Sequence, residues 1–188
     1  MSDAPLRPPA AIVIAGGRGT RMGGIDKPGL ALGGSTLRER AIAAARRAGL
    51  DPVVHVGSET DGGPVAALAA GLAELDADDS DEVVVLAGDL VDPGLVVAAL
   101  VGAAHDQRRE RDGAVLVDPD GREQWLAARY RVAALRTAFD ALPGGPRGAS
   151  FRALVRGLDL ARLPAEPAVV ADVDSWQDYE TAKERIDG

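Results

Sequence analysis

The sequence predicts an α/β fold with a mainly parallel sheet and an antiparallel addition. Three observations carry this. Short apolar runs alternate with helix-like segments through about the first hundred residues, and crossovers of that kind build parallel strands. A glycine-rich loop follows the first apolar run. A later pair of extended runs flanks Pro119-Asp120-Gly121, where proline presets φ and glycine takes positive φ, as a hairpin turn requires.

Residues 11–15 (AIVIA) follow Pro8-Pro9 and stop at Gly16-Gly17, the pattern of a buried strand bounded by turn residues. A helix starts at Thr36: Thr36 and Glu39 fit a capping box, Leu37, Ala41, Ala44, Ala45 and Ala48 share one face, and Gly49 supplies the stop. Residues 52–56 (PVVHV) read as the second strand, with His55 given no catalytic role. Pro64 opens the helix PVAALAAGLAEL where a missing amide hydrogen costs nothing. The DADDSDE run behind it lacks the glycine and glutamate registers of a calcium loop and reads as a solvated connection.

Residues 83–87 (VVVLA) form a third strand ending at Gly88-Asp89, and 94–106 a helix followed by a solvated RRER at 108–111. Residues 133–142 and 149–157 read as helices and 167–173 (PAVVADV) as the last strand. Ser175 with Asp178 caps a terminal helix, WQDYETAKERI. No linker or internal repeat divides the chain, so 1–188 reads as one domain with residues 1–9 flexible.

Composition narrows the function by exclusion. With 29 acidic and 21 basic side chains and a net charge of -8, the chain lacks the cationic surplus of a nucleic-acid or anionic-membrane binder. It has no cysteine and two histidines, which removes disulfides, thiolate metal sites and a cysteine nucleophile, and points to a reducing cytoplasm. Nothing resembles a signal peptide or a membrane span. Aromatics are only 3%, so Ala, Val and Leu must build the core.

The first loop, Ala15-Gly16-Gly17-Arg18-Gly19-Thr20-Arg21-Met22-Gly23-Gly24-Ile25-Asp26-Lys27-Pro28, is the informative feature. Its glycines let the backbone approach a ligand closely and point several amide hydrogens at one anion. Arg18, Arg21 and Lys27 add local positive charge to an acidic chain, and Lys27 is one of two lysines against 19 arginines. A polyphosphate is the matching partner. The loop is not a Walker loop, because Lys27 follows Asp26 and precedes Pro28, and Met22 stands where a dinucleotide fingerprint needs its third glycine.

At these residues the sequence resembles the molybdenum cofactor guanylyltransferases, nucleotidyltransferases of a glycosyltransferase-A-related, Rossmann-like three-layer fold whose first loop reads roughly L-A-G-G-x-x-x-R-M-G-x-D-K. These enzymes transfer GMP from GTP to molybdopterin phosphate and release pyrophosphate. The resemblance implies GTP or another NTP, a molybdopterin-type acceptor, Mg²⁺ as cofactor, a molybdoenzyme or chaperone partner, and a cytoplasmic enzyme without nucleic-acid or membrane partners. It leaves two alternatives: a related cytidylyl or sugar-phosphate transferase, and a degenerate nucleotide-binding module without turnover.

Carried onto this chain, the resemblance puts the nucleotide on Ile14, Ala15, Gly16, Gly17, Arg18, Gly19, Lys27, Asp61, Gly63, Pro64 and Asp89. Catalytic roles fall on Arg21, Lys27 and Asp89. A carboxylate at Asp61 can accept from both N1–H and N2–H of guanine, or close an Asx turn. Asp89 ends a strand where ligands of open α/β sheets gather, and it is a metal ligand or a solvated loop residue. Asp172-Val173-Asp174-Ser175-Trp176 stands where the family has N-x-N-T-P. Asp174 is a second metal ligand or part of the helix cap. Arg147, and Arg129 or Tyr130 on the hairpin, are expected to face the acceptor.

Overall fold

A computed structural model describes residues 8–15, 22, 25–57, 60–78, 81–102 and 111–187. Its principal sheet has six strands: β1 (Ala10–Ala15), β4 (Val53–Gly57), β5 (Glu82–Ala87), β6 (Gly113–Val117), β7 (Glu123–Arg131) and β8 (Leu160–Pro164), in the order β4-β1-β5-β7-β6-β8. A small hairpin, β2 (Ala31–Leu32) with β3 (Ser35–Thr36), stands apart. The helices are α1 (Leu37–Arg47), α2 (Pro64–Glu74), α3 (Pro93–Gly102), α4 (Val132–Asp140), α5 (Phe151–Val155) and α6 (Trp176–Asp187).

β1 lies between β4 and β5 and pairs in parallel with both, Ile12 standing opposite Val54 and Val85. Every residue of β1 is buried, as its unbroken apolar run requires of a strand covered on both faces. Alternation along β1 splits the core. Ile12 and Ile14 join Val65 and Leu68 of α2, Leu135 of α4 and Leu154 of α5. Ala11 and Val13 join Ala41 and Ala45 of α1 and Val96 and Leu100 of α3. The result is the expected three-layer arrangement.

β7 runs antiparallel to both β5 and β6, so the antiparallel strand lies inside the sheet rather than at its margin. Its turn forms as the sequence predicts: Gly121 has φ of 80° and its amide donates to the Asp118 carbonyl at 2.9 Å. The capping box of α1 is complete, with the Glu39 amide donating to Thr36 Oγ1 and the Thr36 amide to the Glu39 carboxylate. Ala48 departs from its expected place on the buried face; it is the C-cap of α1 and exposed.

The last strand also differs. Residues 167–170 form a turn, and the sixth strand is Leu160–Pro164, parallel to β6. Pro167 follows Glu166 directly and favours a turn, whereas Leu160, Ala161 and Leu163 bury enough apolar surface for an edge strand that tolerates Pro164 at its end. Of the expected helix 94–106, residues 103–106 lie outside the described residues, as do 108–110 of the basic run and 1–7 of the N-terminal segment. Pro9 is held in place, its carbonyl accepting from the Asp51 amide at 3.2 Å. Among the described residues no helix is long and apolar enough to cross a membrane.

Candidate active site

Three acids converge because two segments far apart in sequence run side by side. The chain leaving β5 at 89–91 pairs antiparallel with 171–173: Leu90 bridges Asp172, the Val91 amide donates to Ala171 at 2.9 Å, and the Val173 amide donates to Asp89 at 3.1 Å. Val91 and Val173 are buried beneath this ribbon with Met22, Leu32, Leu37 and Ala182. A small separate core thus presses the C-terminal segment onto the end of β5. Gly88 makes the exit from β5 possible. A Cβ there would lie 2.8 Å from Ala15 Cβ and 2.9 Å from its Cα, and the Gly88 amide donates to Ile14 at 2.8 Å.

The consequence is that carboxylate oxygens of Asp89, Asp172 and Asp174 lie within 4.8 Å of one another. Lys27 sits at the start of a short 3-10 turn, Lys27–Gly29, with Pro28 behind it, and its ammonium donates to Asp174 Oδ1 at 2.6 Å. Burial raises the Asp89 pKa, Lys27 opposes that, and Asp174 adds a smaller upward push. Asp172 is exposed as a whole residue, yet its carboxyl is pushed up to about 6, first by burial and then by the charges of Asp89 and Asp174, with Lys27 again opposing. Three crowded carboxylates and one ammonium leave an excess of negative charge that a cation relieves.

The donor set is all oxygen, which suits a hard divalent ion, and opposite ligands of Mg²⁺ are about 4 Å apart and those of Ca²⁺ about 5 Å. Asp89, Asp172 and Asp174 therefore fit such an ion. Asp172 was absent from the metal set expected from sequence. Its signal was the i, i+2 spacing to Asp174, which puts both side chains on one side of an extended segment, but nothing in the sequence alone says that this segment lies beside Asp89. Asp174 lies among the acids, while the cap of α6 is made by Ser175 and Asp178, whose carboxylate also accepts from the Asp174 amide at 3.2 Å.

The other expected residues fall into three groups. Ile14 and Ala15 end β1 beside β4 and β5 with buried side chains. Gly16, Gly17, Arg18, Gly19 and Arg21 lie outside the described residues. Asp61 and Pro64 are exposed in the turn from β4 into α2, and Gly63 caps that helix with φ of 87°. Gly148 donates to the Gly62 carbonyl at 2.8 Å, which brings exposed Arg147 beside the same turn.

Arg129 and Tyr130 do not face solvent. Both are buried in β7, with the Tyr130 hydroxyl donating to the Trp125 carbonyl at 2.9 Å and Arg129 3.4 Å from Glu82. Because β7 lies between two strands, its side chains there meet the helical layers instead of solvent. A groove of about 700 Å³ between α4 and α5 contains none of the expected residues.

A mainly parallel sheet covered on both faces, with acids and a lysine gathered beyond the carboxyl end of β5, defines an open α/β protein with a ligand site at its strand ends. The sequence model described as the MobA-like NTP transferase domain matches residues 11–162. The chain belongs to that family and is a nucleotidyltransferase. It is 37% identical over 177 residues to a probable molybdenum cofactor guanylyltransferase of Opitutus terrae, covering 84% of this chain and 85% of that protein. Among solved structures, molybdopterin-guanine dinucleotide biosynthesis protein A from Archaeoglobus fulgidus superposes with a TM-score of 0.67 at 18% identity, covering 95% of this chain and 98% of that one. A 4-diphosphocytidyl-2C-methyl-D-erythritol synthase superposes at 0.69 with 15% identity, covering the same shares. At such identities these likenesses speak to the fold.

Proposed function

We propose that the protein transfers GMP from GTP to the terminal phosphate of a molybdopterin-type acceptor. The carrying observation is the meeting of Lys27 with Asp89, Asp172 and Asp174 at the carboxyl ends of the parallel strands. An acceptor phosphate oxygen forms the new bond to the α-phosphorus, the bond from that phosphorus to the bridging oxygen breaks, and pyrophosphate leaves with the electron pair. The acceptor phosphate is already ionised near neutral pH, so no general base is required. Positioning and charge neutralisation carry the rate.

Lys27, Arg18 and Arg21, with amides of the glycine-rich loop, bind the β- and γ-phosphates and offset charge developing on the leaving group. Asp61 accepts from the guanine N1–H and N2–H, a pattern that disfavours adenine, whose N1 is an acceptor. Asp89, Asp172 and Asp174 would hold Mg²⁺, which when bound supplies a positive charge beside the α-phosphate. The reaction is placed in the cytoplasm, and its product would pass to a molybdoenzyme or its chaperone.

Release of pyrophosphate from GTP on addition of molybdopterin tests the reading directly. A thermal-shift panel of GTP, CTP, UTP and ATP with Mg²⁺ tests the base. Stabilisation by CTP or UTP above GTP would transfer the reading to a cytidylyl or sugar-phosphate transferase. Binding without pyrophosphate release would make the chain a nucleotide-binding module.

A further inference from the structure

Trp176 is one of two tryptophans in the chain, and it stands 48% exposed at the first position of α6. It follows Asp174 by two residues. The side chain is nevertheless held. Tyr179, one helical turn on, meets it edge to face with ring centres 5.9 Å apart and planes at 84°. The Tyr179 hydroxyl in turn donates to the Ala31 carbonyl at 2.7 Å. An edge-to-face contact leaves at least one indole face without a ring partner.

The start of α6 is also pinned. Asp178 accepts from the amides of Asp174 and Ser175 and from Ser175 Oγ, and its own amide donates back to that oxygen. The backbone that carries Asp174 and Trp176 is therefore held by one hydrogen-bonded cap, and the indole by its contact with Tyr179. An aromatic side chain fixed in this way is a ready surface for a planar ring, since little further ordering is needed to use it.

The proposed function, laid on the topology, indicates which ligand such a surface serves. The Asp61–Pro64 turn follows β4, at one edge of the sheet, whereas 171–176 lies beside the chain leaving β5, on the other side of β1. With the base at the first and the phosphates on Lys27, as the proposed function has them, the acceptor would lie beyond Asp89, toward α6. Asp172 and Asp174 make that region acidic, so a ligand reaching it is best held there through a neutral planar part.

We infer that Trp176 is a stacking platform for the planar heteroaromatic ring of the acceptor. This rests on the proposed guanylyl transfer to a molybdopterin-type acceptor and names a residue that would select it. The probe is neopterin, a planar pterin without the phosphate, bound at equilibrium to the full-length protein and to Trp176→Ala and Trp176→Phe. Trp176→Ala weakens neopterin about tenfold and raises the KM for the acceptor by a similar factor, as loss of one aromatic stack does. The KM for GTP stays unchanged, and Trp176→Phe restores most of the affinity. A purely structural role would lower thermal stability without that split or that rescue.

Equal neopterin affinity in the wild type and Trp176→Ala would overturn the platform and leave guanylyl transfer standing. A rise in the KM for GTP in place of the acceptor's would overturn it equally, because the indole would then serve the base. A wild-type protein that turns over GTP with a non-pterin acceptor and ignores neopterin would overturn both readings. Should Trp176→Ala fail to fold, Trp176→Gln, which puts a polar, non-aromatic residue at the helix start, gives the same comparison.

Discussion

Lys27 and Asp174 are joined at 2.6 Å across 147 positions of sequence. The lysine side chain is 13% exposed and its partner 48%, so the ammonium is enclosed while the carboxylate remains open to solvent. A compact ammonium on a flexible stem fits that enclosure, and a planar guanidinium presents its donors in a different geometry. Lys27→Arg should lower kcat/KM for GTP by about tenfold or more, since displacement of a positioning group by an ångström costs on that scale. Steady-state kinetics beside a thermal melt would check this, and full activity would remove the special role of lysine.

Asp89 is the acid on which the C-terminal segment is registered, its carbonyl accepting from Val173. Asp89→Ala keeps that carbonyl and removes the carboxylate. Transfer should fall by about a hundredfold or more, as for loss of a group that acts on transition-state charge. GTP should still raise the melting temperature. Mg²⁺ alone should stabilise the wild type in a concentration-dependent way and the variant much less. Normal turnover by Asp89→Ala would sink the metal assignment.

Gly88 tests the packing that delivers Asp89. With Ala15 Cα 2.9 Å from where a Cβ would stand, Gly88→Ala must push β1 and the chain leaving β5 apart. A cost of about 1–3 kcal/mol in denaturant unfolding is expected from such overpacking, together with weaker Mg²⁺ binding. Unchanged stability would mean that the two segments can separate freely.

The capping box offers a control distant from the chemistry. Thr36→Ala should cost about 1 kcal/mol of stability and leave turnover intact. The Glu39 pKa is lowered from 4.5, first by its backbone and then by its side-chain hydrogen bond to Thr36. Its folded value lies below its unfolded one, so its contribution is fully present above pH 4.5 and is lost as pH falls through the lowered value. Stability curves of the wild type and Glu39→Gln should therefore converge in acid, and parallel curves would contradict the assignment.

Much of this protein was legible in its local chemistry. The run Ala11–Ala15 could only be a buried strand, Thr36 and Glu39 announced α1, and Pro64 opened α2, because each signal is satisfied within a few residues of chain. The place of Asp89 in the candidate acidic group was also readable, since the ends of parallel strands are where such sheets bind ligands. Tertiary structure alone decided the rest. Asp172 entered the acidic group through pairing of 171–173 with 89–91, and Arg129 and Tyr130 left the site because β7 was inserted between β5 and β6. Those outcomes depend on hydrogen bonds and apolar contacts between segments about 40 to 80 residues apart, whose closure no local pattern encodes. The same long-range contact turned Lys27 from a scarce residue in a glycine-rich loop into the partner of Asp174.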